Sequence, residues 1–302
     1  MLTRYGQKDL AWVDLVGPTP AEILQVTREF ELDPLIAEEL SCASSKSKAE
    51  RHGGHLYVVL HFPLLRSAHG RSEQEVDFVI GNNFLITSRY EPVSPLDSFA
   101  KSFEVAEVLG RQGNMHGGHL FASLASNIYR SLTAECEGLR HRLDDAEDRI
   151  FRGHEREMVA RLSALGRTVH DFRRGLESHT EMLRSLEPLG EKLFGASFPY
   201  HVRGVVGECE RLRHTLSHLR EWLMELRETN NSLLSLKQNE TMKNLTVMAL
   251  MTFPLVLFSS LFAIEARDVP ILGMPGDFWI ITGMMLTIAA CLLFYFKYRK
   301  WI

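Results

Sequence analysis

Two long stretches without a charged residue close the sequence: NLTVMALMTFPLVLFSSLFAI from Asn244 to Ile264, and FWIITGMMLTIAACLLFYF from Phe278 to Phe296. Each is near the ~20 residues a helix needs to cross the hydrocarbon of a bilayer. A buried helical hairpin of a soluble protein would pass the same test of length. Here, however, Lys237, Lys243, Lys297, Arg299 and Lys300 flank the outer ends of the pair, against Arg267 alone in the connection. That asymmetry predicts two membrane spans with both termini on the cytoplasmic side. Tyr295, Tyr298 and Trp301 beside the basic tail, and Trp279 at the far end, have the amphipathic rings expected at the two interfaces. The N-terminus, MLTRYGQKDLAWVDLVGPTP, lacks the apolar core of a secretory signal.

The rest of the 302 residues is long enough for a soluble domain with its own core. A net charge of −4, with 34 Lys and Arg scattered along the chain, gives no general attraction to nucleic acid. Cys42, Cys136, Cys209 and Cys291 stand far apart without a Cys-x-x-Cys pair, so neither a disulfide framework nor a thiolate zinc site is indicated.

Residues 1–100 read as a mixed α/β cytoplasmic domain. Thr19 and Pro20 open a helix that runs to Phe30, and DPLIAEEL at 33–40 forms a second, short one. SCASSKSKAERHGG reads as a loop, HLYVVLHFPLL at 55–65 as a strand, and EVDFVIGNNFLITSRY at 75–90 as a hairpin turning at Gly81, Asn82 and Asn83. Pro92 and Pro95 close that segment.

Residues 101–203 read as a cytoplasmic helical region. One long helix follows Leu120, Leu124, Ile128, Leu132, Leu139, Leu143, Ala146 and Ile150; a second follows Met158 through Leu186 and stops near Pro188, Gly190, Gly195 and Pro199. Residues 204–264 form a single helix that ends in the first span (244–264). Leu212, Leu219, Leu226 and Leu233 recur every seven residues on it, with Leu216, Leu223 and Asn230 four after the first three, the pattern of a coiled-coil seam. From Glu208 to Ile264 such a helix would extend roughly 85 Å. Residues 265–277 form the external connection, 278–296 the second span and 297–302 a basic cytoplasmic tail.

Along the entering helix Asn239, Met242, Thr246, Ala249, Phe253, Val256 and Ser260 fall on one stripe at spacings of three and four. A mostly apolar stripe with polar ends suits a dewettable constriction; small and apolar residues also suit plain helix-to-helix contact. HGGHL occurs twice, at 52–56 and 116–120, but neither copy has a carboxylate or thiolate at ligand spacing, and Zn²⁺ needs three or four ligands. DDAED at 144–148 reads as a solvated helix face. No phosphate-binding loop, nucleophile elbow or His-Glu-x-x-His zinc motif is present in the sequence.

NETMKNLTVMALMTFPLVLFSSLF at 239–262 resembles the pore helix of the CorA superfamily of divalent cation transporters, in which Asn-Glu-x-Met-Lys-x-Leu-Thr leads into a proline-containing span. LDPLIAEEL at 32–40, FVIGNNFLITSRYEP at 78–92, and the terminal LGMPG and KYRKWI are also similar to family segments, the last two to the ZntB branch. The resemblance spans nearly the whole chain. It implies a CorA-like homopentamer: an α/β cytoplasmic domain, a funnel of long helices, and two C-terminal transmembrane helices, the first lining a pore. On that resemblance Asn239, Met242 and Leu245 line the cytoplasmic part of the pore, with Phe253 and Val256 farther along. Phe262 takes the aromatic position before the family's Gly-Met-Asn signature, but Ala263, Ile264 and Glu265 stand where the signature should follow. Gly273-Met274-Pro275 lies too far beyond Pro254 to replace it.

The external mouth is then expected to comprise Phe262, Ala263, Ile264, Glu265, Asp268 and Asp277, with Glu265 and Asp268 the candidate metal-ligating residues. Three carboxylates against Arg267 would concentrate cations there without selecting one. The resemblance implies a transporter of Mg²⁺ by family default, with Zn²⁺, Co²⁺ or Ni²⁺ suggested by the ZntB-like tail and the lost signature. The expected function is thus passage of divalent cations through the inner membrane, with no catalysis and no cofactor besides the transported ion. The expected partners are further copies of the chain and the bilayer. A non-conducting, membrane-anchored oligomeric scaffold or sensor is the alternative.

Overall fold

We describe a computed structural model covering residues 1–6, 10–44, 46–63, 73–91, 93–108, 116–263 and 276–299. Strands β1 (Leu2–Tyr5), β2 (Ala11–Val16), β3 (Lys48–His52), β4 (His55–Pro63), β5 (Glu73–Ile80) and β6 (Phe84–Arg89) form one sheet in the order β1-β2-β6-β5-β4-β3. Neighbours pair antiparallel except β2 and β6, which run parallel. Helices cover both faces, so β4 needs no polar alternation and reads as a nearly continuous apolar run, and β6 is buried at all six positions although it ends in Thr87, Ser88 and Arg89.

On one face, helices α1 (Pro20–Glu29) and α2 (Pro34–Leu40) lay Ile23, Val26, Ile36 and Leu40 over Val13, Leu15, Val59 and Ile86. The start of α1 is the one the sequence announces. Thr19 Oγ1 accepts from the Glu22 backbone N–H at 3.3 Å, the Glu22 carboxylate accepts from the Thr19 N–H at 2.8 Å, and Pro20 fills the first turn. On the other face, helices α3 (Ser94–Val108) and α4 (Gly117–Phe151) bring aromatic rings edge-on to the sheet: Trp12 against Phe99 and Phe103, and Phe78 against Phe121 at 5.2 Å.

The sheet buries four ionisable side chains, Asp14, Glu75, Asp77 and Arg89. Arg89, 4% exposed, donates to Asp14 at 2.7 Å and Asp97 at 2.6 Å, and Thr87 ties the other Asp14 oxygen at 2.6 Å. Each charge therefore has a partner, which a buried ion needs to escape its desolvation cost. Asp77, 1% exposed, has no hydrogen-bond partner for either carboxylate oxygen among the described residues. Burial first, and then Glu75 two residues away, raise its pKa far above the ordinary carboxylate range, so it is held neutral. Glu75 stays anchored by two bonds from the Ser44 N–H, at 2.8 and 3.0 Å.

Helices α5 (Glu155–Gly175), α6 (His179–Phe194), α7 (Phe198–Phe262) and α8 (Asp277–Tyr298) complete the chain. Several expectations are corrected here. The stretch read as a loop contains β3, whose Lys48 and Glu50 belong to an edge strand. β1 and β2 precede the first helix; the strand segment does close at Arg89, before Pro95, which lies in the first turn of α3. The hairpin forms as expected between β5 and β6, yet none of residues 81–83 takes a positive φ.

The helix expected from Met158 to Leu186 breaks at residues 176–178. The break places His179 fully buried between the Tyr129 hydroxyl (2.9 Å) and the His61 carbonyl (3.1 Å), with burial pushing its pKa down to about 3. Pro188 does not stop α6; the buried face of Leu183, Leu186 and Phe194 carries the helix past it to Gly195. Leu212, Leu216, Leu219, Leu223 and Leu226 are buried within the chain itself. Polar contacts beside them, Trp222 to Glu147 and Arg227 to the Leu162 carbonyl, tie that face of α7 to α4 and α5.

α4 starts where its backbone nearly touches the hairpin. The Gly117 N–H donates to the Asn82 carbonyl at 2.9 Å, and a Cβ at 117 would stand 2.2 Å from both the Gly81 and Phe84 carbonyl oxygens. Gly117→Ala is therefore expected to destabilise by about 1–3 kcal/mol, whereas Gly138→Ala, on the open face of the same helix with nothing within 4 Å, should be neutral or stabilising by up to about 1 kcal/mol. Thermal unfolding of the detergent-purified chain checks both; equal effects would refute the close-contact account.

For Asp77 the sign follows from its raised pKa. Above the unfolded value of about 3.9 the unfolded chain releases a proton that the folded chain keeps, so stability falls as pH rises, by up to about 1.4 kcal/mol per unit. Asp77→Asn should remove that slope, gaining on the wild type between pH 5 and 8 in melting scans. Parallel pH profiles for the two proteins would contradict the assignment.

Candidate functional site

The chain divides into two compact units, Met1–Arg227 and Glu228–Ile302, each described here by itself. The second unit holds the C-terminal part of α7 and all of α8, and both helices are long and apolar enough to cross a membrane. Almost none of their apolar surface is buried within the chain. A helix apolar all round, with its surface left bare, is unstable in water and suited to lipid or to other copies of itself.

Burial is not uniform around the helix, however. On α7 the less exposed positions, Val247, Met251, Pro254, Leu255, Phe258 and Phe262, follow the three-and-four spacing of one face. On α8, Ile281, Met285, Ile288, Leu292 and Phe296 do the same. The sequence-derived stripe lies elsewhere: Asn239, Met242, Leu245, Thr246, Phe253, Val256 and Ser260 are exposed, with Phe253 70%, Val256 64% and Met242 62% accessible, while Ala249 is half-buried.

The hydroxyls on these helices are satisfied internally. Thr246 donates to the Met242 carbonyl at 2.8 Å and Ser260 to the Leu257 carbonyl at 2.9 Å; Thr252, Thr282 and Thr287 likewise donate to carbonyls one turn back. Each proton is thus used within the helix, and the oxygen lone pairs of Thr246 and Ser260 remain on the exposed stripe.

Of the expected mouth residues, Phe262 is half-buried at the end of α7 with its ring 5.0 Å from Phe258, and Ala263 follows in a turn, bonded to the Ser259 and Ser260 carbonyls. Ile264, Glu265 and Asp268 lie outside the described residues, as do Arg267 and Trp301; Asp277 begins α8, and its side chain too lies outside them. Trp279 and Tyr298, at opposite ends of α8, are 75% and 81% exposed, as interfacial rings would be in an isolated chain.

The first unit settles other sequence candidates. In DDAED, Asp145 pairs with Arg161 at 2.6 Å and Arg149 at 3.5 Å, Asp148 with Arg152, and Glu147 accepts from Trp222, so the run is an ion-paired helix face. The first HGGH copy turns between β3 and β4. The second brings His116 and His119 face to face at 3.9 Å, with His201 from α7 edge-on at 4.0 Å. No spacing in the sequence links His201 to that pair. Burial, helped by the two neighbouring imidazoles, lowers the His116 pKa to about 4. Among the described residues, no three His, Cys, Asp or Glu side chains are arranged to hold a metal ion.

Comparison with known proteins places this arrangement. A family model described as "CorA-like Mg2+ transporter protein" matches residues 7–299. The cobalt/magnesium transport protein CorA of Thermotoga maritima is 23% identical over 297 residues, covering 96% of this chain and 83% of that relative. Among solved structures, the complete CorA magnesium transporter of Methanocaldococcus jannaschii superposes with a TM-score of 0.85 at 18% identity, over 99% of this chain and 93% of that one. The full-length CmaX protein gives a TM-score of 0.73 at 16% identity, over 97% and 89%.

Proposed function

Because the chain belongs to the family of CorA-like Mg²⁺ transporter proteins, we propose that it is a homo-oligomeric pore, pentameric like the CorA family, that passes divalent cations through the inner membrane. It is a transport protein and not an enzyme. The family default makes Mg²⁺ the first ion, with Zn²⁺, Co²⁺ and Ni²⁺ as the others to be expected. Both termini face the cytoplasm, in keeping with the Lys and Arg that flank the outer ends of the spans. In this reading residues 1–100 and 101–203 are the cytoplasmic parts, 204–264 the pore helix, 265–277 the external loop, 278–296 the outer span and 297–302 the tail.

The observation that carries the reading is the uncovered stripe of α7. Phe253, Val256 and Met242 stand bare in one chain, on a helix whose other face is partly covered, and symmetric copies would bring those bare faces together around an axis. Apolar side chains there form a constriction that is dry when narrow and conducts when widened. Asn239 at the cytoplasmic end, and the free lone pairs of Thr246 and Ser260, supply oxygens to which a hydrated cation can donate through its water. Mg²⁺ parts with its water reluctantly, so contact through the shell suits it better than a bare-ion cage.

Selection at the mouth differs from the family pattern. With Ala263-Ile264-Glu265 where Gly-Met-Asn would stand, neutral amide oxygens are replaced by carboxylates. Glu265, Asp268 and Asp277 then attract cations by charge, and their pull is screened over roughly 8 Å at physiological salt. The same loss is the specific observation favouring the second reading, a membrane-anchored scaffold that does not conduct.

Purified oligomers in liposomes loaded with ion indicators decide between them: Mg²⁺ and at least one of Zn²⁺, Co²⁺ and Ni²⁺ should enter, and no flux of any of the four would leave the scaffold. Asn239→Leu should cut flux by about tenfold, equivalent to about 1.4 kcal/mol on the barrier, while Met251→Ala, on the opposite and less exposed face of α7, leaves it near wild type; equal rates would remove Asn239 from the path. Glu265→Gln should lower flux at low ionic strength and match the wild type at high salt. A salt-independent result, or none at all, would discard the charged mouth.

A further inference from the structure

Between α5 and the N-terminal part of α7, wholly within the first unit, lies a cleft of about 840 Å³. That is the size of a small-molecule site, but its lining is charged rather than apolar. Arg173 and Arg174 enter from α5, and Arg213, Arg220 and Arg227 from α7 at intervals of seven residues. Glu177 and Glu210 are the carboxylates in the lining.

Most of this positive charge is unanswered. Glu210 is engaged by Arg184 at 2.6 Å, outside the lining, and Arg174 is engaged by Glu73 at 3.1 Å. Arg213 donates to the Thr180 hydroxyl and Arg227 to the Leu162 carbonyl, both at 3.1 Å, so neither meets a carboxylate. Among the described residues Arg173 and Arg220 have no ion-pair partner. Four guanidinium groups thus line one cleft with Glu177 as the nearby offset: Arg213 and Arg227 are held toward its two ends, roughly 21 Å apart along α7, and Arg173 and Arg220 stand between them.

The position of Arg227 is built into the backbone. Its Nη2 stands 2.2 Å from where a Cβ on residue 166 would be, so Gly166 leaves the space in which the guanidinium reaches the Leu162 carbonyl. No Phe, Tyr or Trp lines the cleft; its rings are the imidazoles of His170 and His214. Guanidinium forks match phosphate oxygens two at a time, which ammonium groups do not.

We infer that this cleft binds a phosphate-bearing polyanion, its phosphate oxygens taken by Arg173 and Arg220, with Arg213 and Arg227 adding positive charge on either side. The recognition is of the phosphate chain, whether inorganic or carried by a nucleotide. An acidic surface of a second copy would answer the same charges, but a concave site with free arginines on both of its helices fits a small ligand better than a flat surface.

Isothermal titration of the full chain in detergent with inorganic triphosphate, ATP and AMP tests this. Triphosphate and ATP are expected to bind within a few-fold of each other, AMP at least about tenfold more weakly, and all more weakly as salt is raised. Arg173→Gln with Arg220→Gln should weaken triphosphate by about tenfold or more, and Arg220→Lys should fall between, because the ammonium keeps charge and loses the fork. Both residues are solvent-exposed, so the variants should keep the wild-type melting temperature. Absence of triphosphate binding to the wild type, equal binding by the double variant, or binding of ATP without triphosphate would each overturn the inference. A double variant that loses its oligomeric mass while the wild type takes up no triphosphate would assign the cleft to a contact between copies. The titration reads binding alone, so its failure is distinct from any failure of ion flux.

Discussion

The constraint on which the rest depends is the apolar surface that α7 and α8 cannot bury by themselves. A helix hydrogen-bonds its own backbone, so it can enter hydrocarbon without stranding polar groups, and here even the threonine and serine hydroxyls are turned back to carbonyls of the preceding turn. The side chains are then free to be apolar on every face. That freedom leaves apolar surface bare on both helices, which suits lipid or, as proposed above, further copies of the same chain.

Much of this was legible in the sequence because its signals were periodic or compositional. Two uncharged runs, and a helix start at Thr19 and Pro20, each map to what the structure contains. What escaped was decided by tertiary contact. β3 reads KAERH, polar enough to pass for a loop, and becomes a strand because β4 offers its edge across five paired positions. The break before His179 carries no Pro or Gly at the turn itself; it is set by the buried bonds to Tyr129 and His61. The heptad of leucines on α7 suggested a seam between chains, and in the structure its soluble part is buried within a single chain, since periodicity names the apolar face but not what covers it.

The candidate site was readable to a similar depth. The stripe residues were identifiable by spacing, and their exposure in one chain is the added information. The arginine cleft was not identifiable, because Arg213, Arg220 and Arg227 in an isolated helix look like a solvated face. Only the approach of α5 places them along one cleft. His201 illustrates the same limit: a lone histidine in the sequence, it meets His119 edge-on only once α4 and α7 are packed.

The seat of Gly117 on the β5–β6 hairpin has a further consequence for motion. Side chains usually intervene where a helix meets a sheet, and their rotamers take up small displacements. At this point main chain meets main chain, through the bond from Gly117 to Asn82 and the closeness of the Gly81 and Phe84 carbonyls. No side-chain torsion lies between them to absorb a shift. A displacement of the hairpin therefore acts directly on the first residues of the 35-residue helix.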